Sequence, residues 1–146
     1  MKLPKHSDLL ILVALAVAFV ARRSHAKPGS GSKAPPKQDK IPDVLSIAQL
    51  RELASAVGME DSETGAAIAM AESGGVVRKI GDNGDSIGLW QINVPSAPKQ
   101  YKNRDMLLDA GFNAQAALAM SNGGTNWTPW TTFRNGKYKQ WLIKGK

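Results

Sequence analysis

The most informative stretch of this chain for its fold is DSETGAAIAMAESGG, at residues 61–75. Small and apolar residues fill the centre, and Asp61 at the start is a residue type that commonly caps helix N-termini. At the other end, Gly74 and Gly75 favour the left-handed backbone that stops a helix. We therefore predict a mostly apolar helix between Asp61 and Gly74, with Glu72 as the lone carboxylate of its last turn.

Glu72 is the leading catalytic candidate. The C-terminal end of a helix is negative because its last carbonyls have no partners, so a second negative charge is disfavoured there. A partly buried carboxyl in this position is suited to act as a general acid. An exposed glutamate at a frayed helix end explains the position equally well. The position of Glu72 alone does not distinguish a general acid from an exposed glutamate, so the other motifs of the chain are needed.

The composition excludes several kinds of chemistry. The chain of 146 residues has no cysteine, which excludes disulfides, thiol nucleophiles and thiolate metal sites. Both histidines, His6 and His25, lie in the N-terminal tail, so His-ligated zinc and Ser-His-Asp triads are excluded elsewhere. The acidic turn at residues 81–85 lacks the spacing and distal Glu of a calcium loop, so turn chemistry is favoured. We predict no metal and no cofactor.

The net charge of +7 is unevenly distributed. Residues 1–42 carry +6 and residues 134–146 carry +5, whereas residues 43–133 carry −4. Because a nucleic-acid-binding domain carries its basic patch on the folded part, no nucleic-acid partner is predicted. The basic ends suit anionic lipid or cell-wall polymer, although solvated tails explain the C-terminal lysines as well.

The N-terminal third predicts a membrane segment and a tether. Residues 9–21 are thirteen apolar residues, which as a helix span about 20 Å, short of the hydrocarbon core of about 30 Å. This length fits a signal peptide, but Arg22-Arg23 directly behind it favours a retained anchor. We predict an anchor or signal segment at 1–26 and a flexible Pro/Gly/Ser/Lys linker at 27–42. Either interpretation of the N-terminal segment places the remaining domain outside the cytoplasm.

The domain at residues 43–146 is predicted to be mainly helical. Apolar residues at helical spacing between 44 and 57 predict a first helix, with Asp43 as N-cap and Gly58 at its end. The β-prone runs around the turn in residues 76–94 predict a small hairpin. The fold class is therefore α+β, mainly α, preceded by an N-terminal hydrophobic helix and a linker.

Two further helices are predicted at residues 103–110 and 112–121, separated by Gly111. A cluster of aromatic residues then leads to the C-terminus. Four residues there are expected to dock on the core: Tyr138, Trp141, Leu142 and Ile143.

The polar and aromatic residues that remain indicate a sugar site. Tryptophan faces stack on pyranose rings, and Asn, Gln and Ser side chains bond hydroxyl and acetamido groups. A carboxyl such as Glu72 can protonate a glycosidic oxygen. For Trp90 and Trp127 taken singly, core packing is the simpler interpretation, as a surface amide is for Gln91. All three are nevertheless candidates for sugar binding.

Four short motifs follow one another along the domain: Glu72-Ser73, GLWQI at 88–92, Asn113-Ala114 with Ala116-Ala117-Leu118, and NGG at 122–124 ahead of Trp127. Over residues 43 to about 140 the chain resembles the SLT-type lytic transglycosylases, lysozyme-like enzymes that cleave peptidoglycan and carry such motifs in this order. The ending Trp127-Thr128-Pro129-Trp130 is similar to short phage- and plasmid-encoded members.

The resemblance implies a lysozyme-like fold and roles for the matching residues. Glu72 would be the single acid and base, and Ser73 would orient it or contact the acetamido group. Gln91 would bind sugar, and Asn122 would line the cleft. The family usually has a Tyr where this chain has Ser121, and Tyr101 or Tyr138 are candidates to replace its phenol.

The implied reaction breaks the β-1,4 bond between N-acetylmuramic acid and N-acetylglucosamine and leaves a 1,6-anhydro product. A hydrolysing lysozyme, in which Asp82 or Asp85 holds a water, is an alternative. Another is an inactive, membrane-anchored murein-binding or structural virion protein. The implied partners are peptidoglycan strands, a membrane through the N-terminal helix, and other virion or secretion-apparatus proteins. The resemblance implies local wall opening during phage entry, secretion or conjugation. The domain would then face the periplasm or cell wall from a bacterial inner membrane or a phage virion membrane.

Overall fold

The computed structural model of the chain describes residues 42–143. The helices and strands are α1 (Ile47–Ala56), α2 (Ser62–Ser73), β1 (Ile80–Gly81), β2 (Ser86–Ile87), β3 (Ile92–Asn93), α3 (Ala110–Met120) and α4 (Thr131–Arg134). Short 3₁₀ turns lie at Asp82–Gly84, Val94–Ser96, Lys99–Tyr101, Met106–Leu108 and Lys137–Trp141. The predicted class, mainly α with a small antiparallel sheet, is confirmed.

The predicted anchor at residues 1–26 lies outside the described residues, as does the predicted linker apart from Pro42. Between residues 42 and 143, each helix is too short or too polar to cross a bilayer.

Helix α1 begins three residues later than the prediction based on Asp43. Its N-cap is Ser46, whose hydroxyl accepts from the N–H of Gln49 while the Gln49 side chain accepts from the N–H of Ser46. This reciprocal capping box satisfies two helix-end donors, a stronger start than a lone Asp43. Val44 lies before the helix and is 55% exposed, so it is not part of the buried stripe. The predicted end at Gly58 is confirmed, because α1 stops at Ala56 and Gly58 has a φ of +90°.

The segment before α1 pairs with the loop that follows α2. The N–H of Leu45 donates to the carbonyl of Gly75 at 2.8 Å, and the N–H of Val77 donates to the carbonyl of Asp43 at 2.9 Å. Gly75 has a φ of +81°, and a Cβ there would lie 2.1 Å from the carbonyl oxygen of Leu45. Only glycine allows the two backbones to approach so closely.

Helix α2 has the caps that the sequence predicts. Asp61 accepts from the N–H of Thr64 at 2.9 Å, and Gly74 follows the helix with a φ of +64°. The small residues of the helix centre are buried, which lets α2 pack against α1 and against the C-terminal 3₁₀ turn. The core contains side chains from α1, α2, the sheet and α3, together with Trp127 and Trp130.

The predicted hairpin is a three-stranded antiparallel sheet in the order β1-β2-β3. Ile87 pairs with Ile80 on one side and with Ile92 on the other. The additional strand forms because the chain reverses a second time between β2 and β3, where Gly88 and Gln91 have φ values of +80° and +45°. A turn with Gln rather than Gly or Asn at positive φ is not an obvious turn signal in sequence.

Helix α3 differs from the prediction of two helices separated by Gly111. A 3₁₀ turn, Met106–Leu108, replaces the first, and α3 runs through Gly111 from its N-cap Asp109. Asp109 accepts from the N–H of Phe112 at 2.8 Å. Gly111 is buried within the helix, so tertiary packing outweighs the cost of glycine in the first turn.

The C-terminal segment docks on the helices, as predicted, but partly through polar contacts. Tyr138 stacks on Phe133 with ring centroids 5.0 Å apart. Arg51 donates to the carbonyl of Trp141 at 3.2 Å, and Leu142 is partly buried. Ile143 is 51% exposed, so its side chain contributes little to the core.

Candidate active site at the end of helix α2

Glu72 lies in the last turn of α2, one residue before the helix ends. Its side chain is partly buried, and its Oε1 accepts a hydrogen bond from Oγ1 of Thr132 at 2.7 Å. Its backbone carbonyl accepts a second bond, from Nζ of Lys79, also at 2.7 Å. The carboxyl therefore has a neutral hydroxyl as its partner, while the lysine ammonium binds the main chain.

A hydroxyl partner suits a carboxyl that must change its protonation state. A threonine hydroxyl donates to a carboxylate and accepts from a carboxylic acid, whereas a cation favours only the charged form. In the described part of the chain, the ion pairs join Arg51 to Glu63 and Arg104 to Asp85, and neither includes Glu72. The arrangement allows Glu72 both to give and to take a proton.

Thr132 is not predicted as a site residue from the sequence. Sixty positions separate it from Glu72, and only the packing of α4 beside the end of α2 brings the two side chains together. The one local signal is Trp130 just ahead of it, an aromatic residue that is 5% exposed and fixes the start of α4.

Ser73 is turned into the protein rather than toward a ligand. It is 4% exposed, and its hydroxyl donates to the carbonyl of Ala69 at 2.9 Å and accepts from the N–H of Gly75 at 3.1 Å. Both bonds shape the end of α2, the turn of helix that carries Glu72, and an orienting role for Ser73 stays a prediction. A direct contact with an acetamido group stays a prediction that this position does not favour.

Gln91 bonds the backbone of Lys79, whose side chain in turn bonds the backbone carbonyl of Glu72. Nε2 of Gln91 donates to the carbonyl of Lys79 at 3.2 Å and to the carbonyl of Gly88 at 2.9 Å. Its Oε1 lies against Gly81, where a Cβ would come within 2.3 Å. The side chain thus closes the turn between β2 and β3. Its role in sugar binding stays a prediction.

Asn113, on helix α3, holds the turn between β2 and β3. It is fully buried, and its Oδ1 accepts from the N–H of Trp90 at 3.0 Å. Its Nδ2 donates to the carbonyls of Ile87 at 2.8 Å and Leu107 at 2.9 Å. One amide satisfies three backbone groups, which fixes the turn relative to the helical core.

Trp90 and Trp127, which are predicted to stack on sugar, are only 0% and 3% exposed, so neither ring face is open to a ligand in this structure. Nε1 of Trp90 donates to the carbonyl of Gly65 in α2 at 2.9 Å. The Trp127 ring packs over the same glycine, where a Cβ would lie 3.1 Å from it. Core packing, the simpler interpretation, explains both residues.

Asn122 is exposed at the surface, where a φ of +51° starts a tight turn. Its Nδ2 donates to Oγ1 of Thr125 at 3.3 Å. Next to it, Ser121 is fully buried, and its hydroxyl donates to the carbonyl of Leu118 and accepts from the N–H of Gly124. The side chain of Asn122 is therefore accessible from solvent, whereas the hydroxyl of Ser121 is used in hydrogen bonds within the turn.

The other carboxylates considered for catalysis have internal partners. Asp82 accepts from the hydroxyl of Ser86 at 2.5 Å, and Asp85 pairs with Arg104 at 2.9 Å. Both residues shape the turn between β1 and β2. Across residues 42–143 there is no group of three or more acidic or histidine side chains that could hold a metal ion.

The two tyrosines considered as replacements for a phenol pack against other aromatic rings. Tyr101 lies 5.4 Å from Phe112 between ring centroids, and burial raises its pKa. Tyr138 stacks on Phe133. The hydroxyl that contacts Glu72 is that of Thr132 instead.

Comparison with known families identifies the kind of domain that carries these residues. The family described as "Lysozyme like domain", of the SLT type, matches residues 51–132, which include both Glu72 and Thr132. No curated protein and no solved structure matches the chain significantly. The match covers more than half of the chain and the whole of the site, and enzymes of this fold cleave peptidoglycan. The chain belongs to the family of SLT-type lysozyme-like domains.

Proposed function

We propose that this protein is a lytic transglycosylase that cleaves the β-1,4 bond between N-acetylmuramic acid and N-acetylglucosamine, with Glu72 as its single acid and base. The observation that carries the proposal is the environment of Glu72: a partly buried carboxyl at the end of an apolar helix, bonded to a hydroxyl and not to a cation. It lies inside the region that matches the lysozyme-like family.

In the first step, Glu72 gives its proton to the bridging oxygen as the bond from that oxygen to C1 of the muramic acid breaks. The acetamido group of the substrate stabilises the positive charge at C1, so a second carboxylate is not required. In the second step, ionised Glu72 takes the proton of the 6-hydroxyl as O6 bonds to C1. The product is a 1,6-anhydro sugar, no water is consumed, and Glu72 is again protonated.

The partners of the nearby aspartates support this reaction over hydrolysis. An inverting hydrolase needs a second carboxylate that activates water, and a retaining enzyme needs one that acts as nucleophile. Asp82 bonds Ser86, and Asp85 is held by Arg104, so both are engaged in the turn. A mechanism with one carboxylate fits these contacts better.

For substrate binding, we propose the exposed amide of Asn122 and the partly buried amide of Gln91. Sugar hydroxyl and acetamido groups both donate and accept hydrogen bonds, which amides match. Gln91 would have to exchange one of its two internal bonds for a bond to the sugar.

We further propose that residues 1–26 hold the domain at a membrane and that residues 27–42 tether it facing the cell wall. A flexible linker of this length reaches about 20–25 Å on average, which confines cutting to wall near the membrane. Phage infection and secretion or conjugation are settings in which such local opening is needed.

The experiment is mass analysis of the muropeptides that the full chain releases from purified peptidoglycan. A transglycosylase gives anhydro-muropeptides, one water lighter than the products of a lysozyme. Glu72→Gln should reduce release about 10²- to 10⁴-fold, the contribution of a general acid. The matched control Glu60→Gln, at an exposed position before α2, should keep full activity. Hydrated products would assign the chain to the lysozymes, and full activity of Glu72→Gln would remove that residue from the chemistry.

An inactive murein-binding or structural virion protein is the second candidate. The observation that favours it is Ser121, whose buried hydroxyl occupies the position of the expected Tyr and bonds only backbone groups. Binding of the full chain to peptidoglycan without any released fragment would support this function.

A further inference from the structure

We propose that Thr132 is a positioning residue that assigns different tasks to the two oxygens of Glu72. Its hydroxyl holds Oε1 at 2.7 Å, which leaves Oε2 to carry the exchanged proton. The inference rests on the proposed function, because it concerns the proton transfer that Glu72 performs.

The backbone around Thr132 is fixed independently of Glu72. Nε1 of Trp130 donates to the carbonyl of Trp90 at 2.8 Å, which ties the start of α4 to the turn between β2 and β3. The Trp130 ring also packs on Trp127, with centroids 5.3 Å apart. The N–H of Phe133 donates to the carbonyl of Trp130 at 3.2 Å and begins the short helix. Thr132 is therefore presented to Glu72 from a rigid support.

Other hydroxyls close to Glu72 in sequence or in the family pattern are engaged elsewhere. Ser73 bonds Ala69 and Gly75, and Ser121 closes its own turn. Within residues 42–143, the side chain that donates a hydrogen bond to the carboxyl of Glu72 is that of Thr132.

The proton balance follows from this contact. Before cleavage the proton resides on Oε2, and it moves to the bridging oxygen as the bond between C1 and that oxygen breaks. The hydroxyl of Thr132 then donates to Oε1 of the carboxylate and stabilises its charge. When O6 bonds to C1, the proton of the 6-hydroxyl returns to Oε2. Thr132 keeps its own proton throughout, so it orients the carboxyl without entering the reaction.

The test compares three variants of the full chain, Thr132→Val, Thr132→Ser and Thr131→Val. Valine has the shape of threonine without the hydroxyl, and serine keeps the hydroxyl. Thr131 is the adjacent exposed threonine, and its hydroxyl bonds Arg134 rather than Glu72. Cleavage of soluble, uncrosslinked glycan strands is measured as kcat and KM, and thermal unfolding is measured for each variant.

Loss of one hydrogen bond to a charged group corresponds to about a 10- to 100-fold fall in kcat for Thr132→Val. KM should change less than about twofold, because the hydroxyl contacts the carboxyl and not the sugar. Thr132→Ser should restore most of the activity, and Thr131→Val should match the parent chain. If Thr132→Val unfolds, comparison of Thr132→Ser with Thr132→Ala replaces it.

A Thr132→Val variant that is as active as the parent chain would overturn the positioning role while leaving the proposed function intact. Loss of activity in Thr132→Ser as severe as in Thr132→Val would also overturn it, since shape rather than the hydroxyl would then matter. A parent chain that releases nothing from any glycan would defeat the proposed function itself, and the role of Thr132 with it.

Discussion

The side-chain amide of Asn113 accepts the backbone N–H of Trp90 at 3.0 Å from the interior of α3. Through this bond and two that it donates, one buried residue holds the turn between β2 and β3 against the helical core. That turn carries Gln91, whose Nε2 donates to the carbonyl of Lys79, and Nζ of the same lysine donates to the backbone carbonyl of Glu72. The position of the site therefore depends on a residue that does not reach it.

Asn113→Ala should destabilise the protein strongly. The substitution leaves the N–H of Trp90 and the carbonyls of Ile87 and Leu107 buried without partners, at a total cost of about 2–5 kcal/mol. Urea unfolding followed by tryptophan fluorescence gives the free energy of unfolding. The control is Asn103→Ala, at an exposed position whose side chain accepts only from the N–H of Met106, with an expected cost below about 1 kcal/mol. Equal losses in the two variants would contradict the holding role of Asn113.

Gly88→Ala should cost more than a positive φ alone explains. A Cβ at Gly88 would lie 2.2 Å from Nδ2 of Asn113 and 2.6 Å from the carbonyl oxygen of Leu107. Gly58 has a similar φ of +90° with nothing within 4 Å of its missing Cβ, so Gly58→Ala measures the backbone strain of about 1–2 kcal/mol by itself. The difference in unfolding free energy between the two variants reports the clash. No difference would mean that the turn shifts freely.

The pair of Arg51 and Glu63 should stabilise the fold in a pH-dependent way. Burial opposes ionisation of Glu63, but hydrogen bonds from Arg51 and the N–H of Ile143, with the charge of Arg51, lower its pKa below the ordinary value of 4.5. The carboxyl of Glu63 has a lower pKa in the folded protein than in the unfolded chain. Its stabilisation of the fold is therefore complete at pH values above the pKa of the unfolded state, and it is lost as the pH falls through the pKa of the folded state.

Glu63→Gln should therefore lower the unfolding free energy at neutral pH by about 0.5–1 kcal/mol, a range limited by solvent screening. The side chains of the pair are 25% and 35% exposed. At about pH 2 the variant and the parent chain should be equally stable. Glu52→Gln, at an exposed position on α1, serves as control. A loss for Glu63→Gln that is unchanged at acid pH would show that charge is not its cause.

Trp90→Phe and Trp127→Phe should both reduce stability without changing glycan cleavage per folded molecule. Trp90 loses a buried bond to the carbonyl of Gly65, so its cost should exceed that of Trp127 by about 1–2 kcal/mol. Nε1 of Trp127 is buried without an acceptor within the described residues. Thermal unfolding and a cleavage assay at a temperature where both variants are folded make the comparison. A raised KM in either variant would indicate that the substituted tryptophan contacts the glycan.

The parts of the fold that follow local rules could be predicted from the sequence. The cap at Asp61, the stop at Gly74 and the position of Glu72 in the last turn are set by residues next to one another in the chain. The predicted start of α1 at Asp43 is wrong, because the capping box of Ser46 and Gln49 is a stronger helix start than Asp43. The predicted break between two helices at Gly111 is wrong, because burial of this residue in the core outweighs the low helix propensity of a single glycine.

The site was harder to predict because its contacts are distant in the chain. Tryptophans suit sugar faces and cores equally, and only the packing of Gly65 against the rings of Trp90 and Trp127 assigns both to the core. Thr132 carries no motif, and its contact with Glu72 depends on where α4 is anchored.

The pairing of Leu45 with Gly75, and of Asp43 with Val77, has a mechanical consequence. A pull on the chain at Pro42 is borne first by the hydrogen bonds of these two backbone segments. One of those segments starts three residues after Glu72, so tension applied from the N-terminal side loads the loop that ends helix α2. A force on the chain ahead of the domain would therefore act on the backbone directly beside Glu72.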